Sequence, residues 1–402
     1  MNWTEEVIVP KVYHYLMWSI PLLGLFVIFS KSPWLFSLFV LFSCFLWLNS
    51  VYVKKMRHYV SIPAKKTTVR MFPGDEDILS IPVVNQSFLP VSYAEMTFFV
   101  YAPDESIEVV GQTQNKQSVY KYPVVIPSKK HIIHKTRIKA VKRGVVQLRT
   151  IELEVFDFCK LGKNRLQYRG GFRGEMIVYP SLKPVSGLTN ISFHTQGERP
   201  TKHSLHEDVM SPRGIRSYVP SDPFNRINWK ASARTKELQT KLYEMTTITK
   251  WCFLVNLKNP VHNNQMVDNL EQMISHLAFA CHYATKQHIA YEIYLNIRSA
   301  TNPVVHLSYG TGKEQLAKVL EVLARVNTNA MVTSTLEMMH YARKNQNEQN
   351  VFLYVGPIAG EAGSELRTWM KKGATVYHIR SEEEVGQVVT IGGGQDEMAE
   401  CK

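Results

Sequence analysis

Two apolar runs, separated by only three residues, dominate the first 53 positions of this chain. Val12–Ser30 (VYHYLMWSIPLLGLFVIFS) holds no formal charge and one histidine, His14, while Trp34–Val53 (WLFSLFVLFSCFLWLNSVYV) holds no charge at all. A helix needs about 20 predominantly apolar residues to cross the hydrocarbon core of a bilayer, and both runs have that length. Only Lys31-Ser32-Pro33 lies between them, so the expectation is a tight two-helix transmembrane hairpin over about 12–30 and 34–53. Pro21 and Gly24 are compatible with lipid, because a neighbouring helix or a local adjustment can satisfy the freed carbonyl. A secretory signal would have a shorter apolar core, a small-residue cleavage site and no second span. A hairpin buried in a globular core is the competing reading, and a charge-free stretch of this length argues against it.

Orientation follows from the distribution of cations. Lys54, Lys55 and Arg57, with His58 beside them, follow the second run at once, and Lys11 precedes the first. The turn carries Lys31 alone. The positive-inside rule then puts both termini, and the bulk of the chain, on the cytoplasmic side of a cell membrane. The five cysteines (Cys44, Cys159, Cys252, Cys281, Cys401) show no paired spacing, which suits reduced thiols in a cytosolic setting. A length of 402 residues leaves room for two further domains. The formal net charge of +13 suits an anionic partner without choosing among phospholipid, nucleic acid and an acidic protein face.

From 58 to 182 short β-branched and aromatic runs alternate with turn residues. Ile78–Val84, Met96–Tyr101, Val124–Ile126 and Val145–Val155 read as strands, punctuated by turns such as Pro73-Gly74-Asp75 and Lys142-Arg143-Gly144. That rhythm predicts a β-sandwich. His131 and His134 are not a metal pair on this reading, because positions i and i+3 of a strand point to opposite faces. From 251 to 390 the period changes to alternating strands and helices. Trp251–Leu257, Tyr291–Ile297, Val351–Val355 and Ala374–Ile379 read as strands; Asn269–Thr285, Gly312–Asn327, Ser334–Lys344 and Glu361–Lys372 read as helices. Such alternation predicts a doubly wound, mostly parallel sheet. The tail 391–402, opening on Gly392-Gly393-Gly394, is expected to be disordered.

Between these halves, 183–250 reads as a linker carrying one dense segment, Arg213–Glu244. Seven Lys or Arg lie between Arg213 and Lys241, against only Asp222 and Glu237. Gly214 permits an unusual backbone or a close approach. Asp222, between Pro220 and Pro223, can cap a turn or pair with an arginine. Trp229 sits among cations, where guanidinium stacking is available. Two readings stay open: an ion-pair network that pins the linker, and a recognition surface or anion site.

The residues Gly214-Ile215-Arg216-Ser217-Tyr218-Val219-Pro220-Ser221-Asp222-Pro223 and Arg226-Ile227-Asn228-Trp229-Lys230-Ala231-Ser232-Ala233-Arg234 resemble the signature of the bacterial DUF58 family, approximately R-x-Y-x-x-G-D-x-x-x-R-I-[DHN]-W-K-A-S-A-R. The Arg143-Gly144 turn, Phe156-Asp157-Phe158 and Val178-Tyr179-Pro180 are similar too, and the resemblance spans nearly the whole chain. It implies a membrane hairpin, an Ig-like β-sandwich and a von Willebrand factor A-like α/β domain. It also implies partnership with a MoxR-type AAA+ ATPase, as an adaptor in assembly or maturation of other complexes. Gly214, Arg216, Tyr218, Asp222, Arg226, Trp229, Lys230, Ser232 and Arg234 are the signature positions that would serve partner binding.

Two departures stand out. Ser221 occupies a position where the family usually has glycine. Where a metal-binding A domain places D-x-S-x-S, this chain has Asn256-Leu257-Lys258-Asn259-Pro260, and a lysine there opposes a hard divalent cation. No metal and no cofactor are therefore expected.

No catalytic motif emerges. Gly310-Thr311-Gly312-Lys313 lacks the first glycine of a phosphate-binding loop, having Leu307 there, and Glu314 follows the lysine, so it reads as a helix start. There is no G-x-S-x-G, no H-E-x-x-H and no zinc spacing. An adaptor is thus the leading expectation. An anionic-ligand module for nucleic acid or phospholipid is the first alternative, with nucleic acid the less expected, and a cryptic hydrolase is the second.

Overall fold

The structure is a computed structural model that describes residues 3–8, 11–30, 32–63, 66–101, 106–109, 119–157, 160, 163–168, 173–191, 207–245, 250–262, 265–299, 302–344 and 351–391. Phe158 and the tail from 392 onward lie outside the described residues. The chain divides into two compact units, Met1–Ser181 with Ala324–Val326, and Leu182–Leu323 with Asn327–Lys402.

The first unit opens with β1 (Trp3–Ile8), α1 (Lys11–Ser30) and α2 (Pro33–Tyr59). Pro33 starts α2 because the first helical turn has no use for its missing N–H. Among the described residues no helix is long and apolar enough to cross a membrane. Many described side chains of the pair are nonetheless exposed and apolar, including Trp18, Leu22, Phe29, Trp34 and Leu41. One face of α2, lined by Phe36, Val40, Leu41, Cys44, Phe45 and Leu48, forms an open groove of about 680 Å³.

The second helix does not end at Val53, where its apolar run ends, but continues to Tyr59. Its inner face explains why. Leu46, Asn49, Tyr52 and Met56 recur every three or four residues and are all buried. The Tyr52 hydroxyl donates to the Pro90 carbonyl at 2.6 Å, and the Met56 sulfur accepts from the Ser87 hydroxyl at 3.8 Å. Burying two such side chains contributes about 1.5–3 kcal/mol each.

Ten strands follow: β2 (Val60–Ser61), β3 (Lys66–Met71), β4 (Glu76–Asn85), β5 (Val91–Tyr101), β6 (Ile107–Val109), β7 (Val119–Ile126), β8 (His131–Ala140), β9 (Gly144–Phe156), β10 (Lys163–Tyr168) and β11 (Arg173–Val178). They form two sheets. One runs β2-β4-β8-β6; in the other, β9 pairs with β10, β11 and β5, while β1, β3 and β7 extend it. A single cluster joins both sheets, with Ile81 and Ile138 from the first and Phe98 and Leu153 from the second. The HIIH pair obeys strand geometry: His131 is exposed, and His134 turns inward to Tyr122, ring centroids 4.7 Å apart. Glu154, nearly buried on β9, is ringed by Lys163 (3.1 Å), Arg165 (2.9 Å) and Lys121 (3.6 Å).

The second unit begins with β12 (Val185–Ser186), so part of the stretch expected to be a linker is an edge strand. Then come β13 (Glu207–Ser217), α3 (Trp229–Thr235), β14 (Gln239–Met245), β15 (Trp251–Val255), α4 (Leu270–Lys286), β16 (Tyr291–Leu295), β17 (Val305–Gly310), α5 (Gly312–Arg325), α6 (Thr335–Lys344), β18 (Val351–Val355), α7 (Gly360–Lys371), β19 (Thr375–Arg380) and β20 (Gly386–Thr390). The main sheet runs β12-β20-β19-β18-β15-β16-β17. Its central four strands are parallel, while β17 and β20 run antiparallel to their neighbours β16 and β19.

Every residue of β15, β16 and β18 is buried, as expected of strands covered on both faces. Trp251 of β15 stacks on Tyr283 of α4, whereas its neighbour Cys252 joins Met338 of α6 and Leu366 of α7. The Gly310–Lys313 stretch runs from the last residue of β17 into the start of α5. A Cβ on Gly310 would fall 2.3 Å from Gln315 Oε1, so that glycine makes room for a side chain rather than a phosphate.

Candidate partner-binding surface

The signature segment is a two-stranded ribbon, β13 against β14, with a turn, a short 3-10 helix and α3 between the strands. Its side chains are described from Gly214 to Leu242. Tyr218 N–H donates to the Leu238 carbonyl and Asp222 N–H to the Val219 carbonyl, both at 2.8 Å, closing the turn. The Asp222 carboxylate then gathers its surroundings. Oδ1 accepts from Arg216 Nη2 at 2.6 Å; Oδ2 accepts from Val219 N–H at 3.1 Å and from the Thr240 hydroxyl at 3.2 Å. The Arg216 guanidinium, and after it the Val219 N–H, hold the Asp222 carboxyl below the usual carboxylate range. The second Arg216 amine donates to the Ser217 carbonyl at 3.1 Å.

Asn228 and Ser232 join α3 to the ribbon. Asn228 Oδ1 caps the helix by accepting from Ala231 N–H at 3.2 Å. The Ser232 hydroxyl donates to the Asn228 carbonyl and accepts from Gln239 N–H, both at 2.9 Å. Asn228 N–H donates to the Gln239 carbonyl at 2.8 Å, and Ile227 is buried against the ribbon beside Thr240. Lys236, left-handed at φ 59°, ends the helix. The Asn-Trp-Lys-Ala-Ser string therefore contains two fasteners, Asn228 and Ser232, with outward residues set between and after them.

Those outward residues are Trp229, 65% exposed, with Lys230 and Arg234 one turn apart on the same side of α3. Among the described residues no cation lies over the Trp229 ring, so the guanidinium stacking anticipated from the sequence is not present. Phe224 is also exposed, 6.0 Å from the Tyr218 ring centroid. Arg226 is half-buried in the 3-10 turn. The structure thus brings Arg216, Asp222 and Thr240 together in one clamp and leaves Trp229, Lys230 and Arg234 on a separate outer face. Thr240 escaped the sequence reading because it lies 18 residues beyond Asp222 and belongs to no motif.

Gly214 differs from expectation. Its φ lies outside the left-handed region, and nothing stands within 4 Å of where a Cβ would be. It marks instead an irregularity of register, between Pro212 and Gly214, where the proline lacks a ladder donor.

At the carboxyl end of β15 the Asn256 side chain is fully engaged. Its Oδ1 accepts from Asn296 Nδ2 (2.8 Å), the Thr335 hydroxyl (2.9 Å) and Lys258 N–H (3.1 Å), and its Nδ2 donates to the Pro357 carbonyl (2.8 Å). Gly356 (φ +113°) packs so closely that a Cβ would lie 2.1 Å from the Asn256 carbonyl oxygen. A divalent cation needs anionic oxygens, and here a neutral amide oxygen already faces three donors beside a lysine. The residues do not fit a metal of that kind. Among the described residues no group of three or more His, Cys, Asp or Glu could hold a metal ion.

No family model matches the chain, and no curated protein matches it. Among solved structures it is similar to a non-cellulosomal cohesin from the hyperthermophilic archaeon Archaeoglobus fulgidus, at 11% identity over 35% of this chain and 99% of that one, TM-score 0.21. A cohesin–dockerin complex from Clostridium thermocellum matches at 11% identity over 30% and 91%, TM-score 0.20. A Salmonella alpha-2-macroglobulin matches at 13% identity over 31% and 7%, TM-score 0.20. At such scores these likenesses carry no argument about fold or function.

Proposed function

We propose that this chain is a membrane-anchored adaptor of the DUF58 type, which presents the outer face of α3 to a protein partner, a MoxR-type AAA+ ATPase, in assembly or maturation of another complex. On this reading the two-sheet unit is an Ig-like β-sandwich. The second unit is a von Willebrand factor A-like domain, a reading its strand order supports. The α1–α2 hairpin lies in the bilayer with both termini on the cytoplasmic side. The described residues alone fall short of the length and apolarity of a span. The anchor proposal therefore rests on the exposure of Trp18, Leu22, Phe29, Trp34 and Leu41, which water would disfavour by about 25 cal/mol per Å² and lipid would not.

The observation that carries the adaptor reading is Trp229. A large, two-thirds exposed aromatic is held on a rigid, doubly fastened helix beside Lys230 and Arg234. Aromatic and arginine side chains are the usual anchors of protein interfaces, and a pre-organised anchor loses little freedom on binding. The test is affinity purification of the tagged, detergent-solubilised protein near physiological salt, with co-purifying proteins identified by mass spectrometry. Stoichiometric recovery of an AAA+ ATPase, lost on Trp229→Ala, supports the proposal. Recovery of nucleic acid or anionic lipid without a protein would replace it with anion binding.

A further inference from the structure

We infer that the loop Gln86–Pro90, with the Lys129–Lys130 turn beside it, docks on anionic phospholipid headgroups at the bilayer surface. The inference rests on the bilayer reading of the hairpin. The loop's height is set by α2. The charge-free run ends at Val53, and the Tyr52 hydroxyl, one residue earlier, donates to the Pro90 carbonyl at 2.6 Å. The Met56–Ser87 contact ties the loop to the next turn of the same helix. The loop therefore sits where the apolar run gives way to Lys54, Lys55 and Arg57.

Its tip is apolar and exposed, Phe88 at 80% and Leu89 at 51%. It is also rigidly held. Asn85, buried, donates from Nδ2 to the Leu89 and Pro127 carbonyls at 3.0 and 3.2 Å, and Lys129 N–H donates to the Ser87 carbonyl at 3.0 Å. Lys129 adopts a left-handed backbone, φ 51°, and its ammonium lies 3.7 Å above the Phe88 ring. Lys129 touches this tip and Lys130 follows it, both exposed; Lys55 and His58, exposed too, lie on the last turns of α2, and no Asp or Glu occurs in 48–61, 85–91 or 126–135. An aromatic tip with exposed lysines beside it matches the interfacial layer, where rings settle among headgroups and ammonium groups meet lipid phosphates.

Nitroxide labels at Leu41 and at Leu89 test this in the full chain, with Cys44, Cys159 and Cys401 changed to serine and the buried Cys252 and Cys281 left in place. The chain is reconstituted in nanodiscs of phosphatidylcholine with or without phosphatidylglycerol. Depth is read from collisions with oxygen and with a water-soluble nickel chelate. The expected result is a Leu41 label in the hydrocarbon and a Leu89 label at headgroup depth in the anionic discs. That label should retreat to water in phosphatidylcholine alone, or on Lys129→Asn with Lys130→Asn, which keeps a residue tolerant of the left-handed turn. A Leu41 label in hydrocarbon with a Leu89 label fully nickel-accessible in every disc overturns the docking inference and leaves the anchor intact. A Leu41 label in water overturns the anchor and the inference together.

Discussion

Arg216 and Asp222 meet at 2.6 Å across a six-residue turn, so the strongest charge pair of the signature closes on itself rather than facing outward. On the proposed adaptor reading, the exposed cations on α3, outside this pair, are Lys230 and Arg234. Because Arg216 lowers the Asp222 pKa, the native turn is favoured above the ordinary carboxylate range. That contribution disappears as pH falls through the lowered value. Amide protection of Val219 should therefore weaken on acidification in the wild type and lose this pH dependence in Asp222→Asn. An unchanged acid profile in the variant would remove the carboxylate from its organising role.

Trp229→Ala and Ile227→Ala separate surface from scaffold. The exposed tryptophan should change unfolding stability by no more than about 0.5 kcal/mol while abolishing partner recovery. The buried isoleucine, two residues earlier, should cost about 2–5 kcal/mol on truncation. Denaturant titration of the full chain in detergent, followed by partner capture, reads both quantities. Equal destabilisation by the two variants would make Trp229 structural.

Ser232→Ala leaves the buried Gln239 N–H without an acceptor, at a cost of about 1–3 kcal/mol. Local hydrogen exchange at Gln239 should rise, since its amide loses its hydroxyl partner. A variant with unaltered exchange would show that the fastening of α3 to β14 lies elsewhere.

Glu154 is pulled in two directions. Burial alone would raise its pKa, but Arg165 and Lys163 outweigh it and hold the carboxyl below the usual range. The stabilising charge is therefore present above that range and is lost as pH falls through the lowered value. The cations are one-third to one-half exposed, so Glu154→Gln should cost only about 1–2 kcal/mol near neutrality. The gap between variant and wild type should close in acid. A pH-independent gap in calorimetric scans would point to packing rather than charge.

Asn256→Asp replaces the Nδ2 donor facing the Pro357 carbonyl by a second oxygen and buries a charge. It should destabilise the second unit by at least about 3 kcal/mol. Magnesium should leave the wild-type melting temperature unchanged. A magnesium-dependent rise would revive the metal site that the amide network argues against.

The α/β half was legible because its elements are long and its buried strands, such as Val351–Val355, are continuously apolar; that strand falls at its expected bounds. Strand β10 was not foreseen, and of β8 only the His131–His134 start was treated as strand. His131–Ala140 alternates charged and apolar residues, with Lys135, Arg137 and Lys139 outward, and reads as polar until the alternation is noticed. Strand β17 (VHLSYG) is half-buried except at exposed Ser308 and carries no clear period. The end of α2 was misplaced because the apolar run was taken as the helix, while tertiary burial of Tyr52 and Met56 carries it further. Within the signature segment, the sequence could not divide the residues of the clamp from those of the outer face. The pairing of Arg216 with Asp222, and of Asp222 with Thr240, depends on the turn's geometry, which no local pattern reports.

The unbroken passage of α2 from the hairpin into the sheets has a mechanical meaning. There is no swivel between them: the helix that carries Leu41 also carries Met56, and the latter is locked into the β core. Each residue of a helix turns it by about 100° and advances it by about 1.5 Å. One residue added after Leu41, before the buried face from Leu46 to Met56 begins, would thus rotate the whole two-sheet unit by over a quarter turn about the helix axis. Two glycines there would instead let it wander. The angle at which this unit faces anything approaching it is therefore written into the count of residues along one helix.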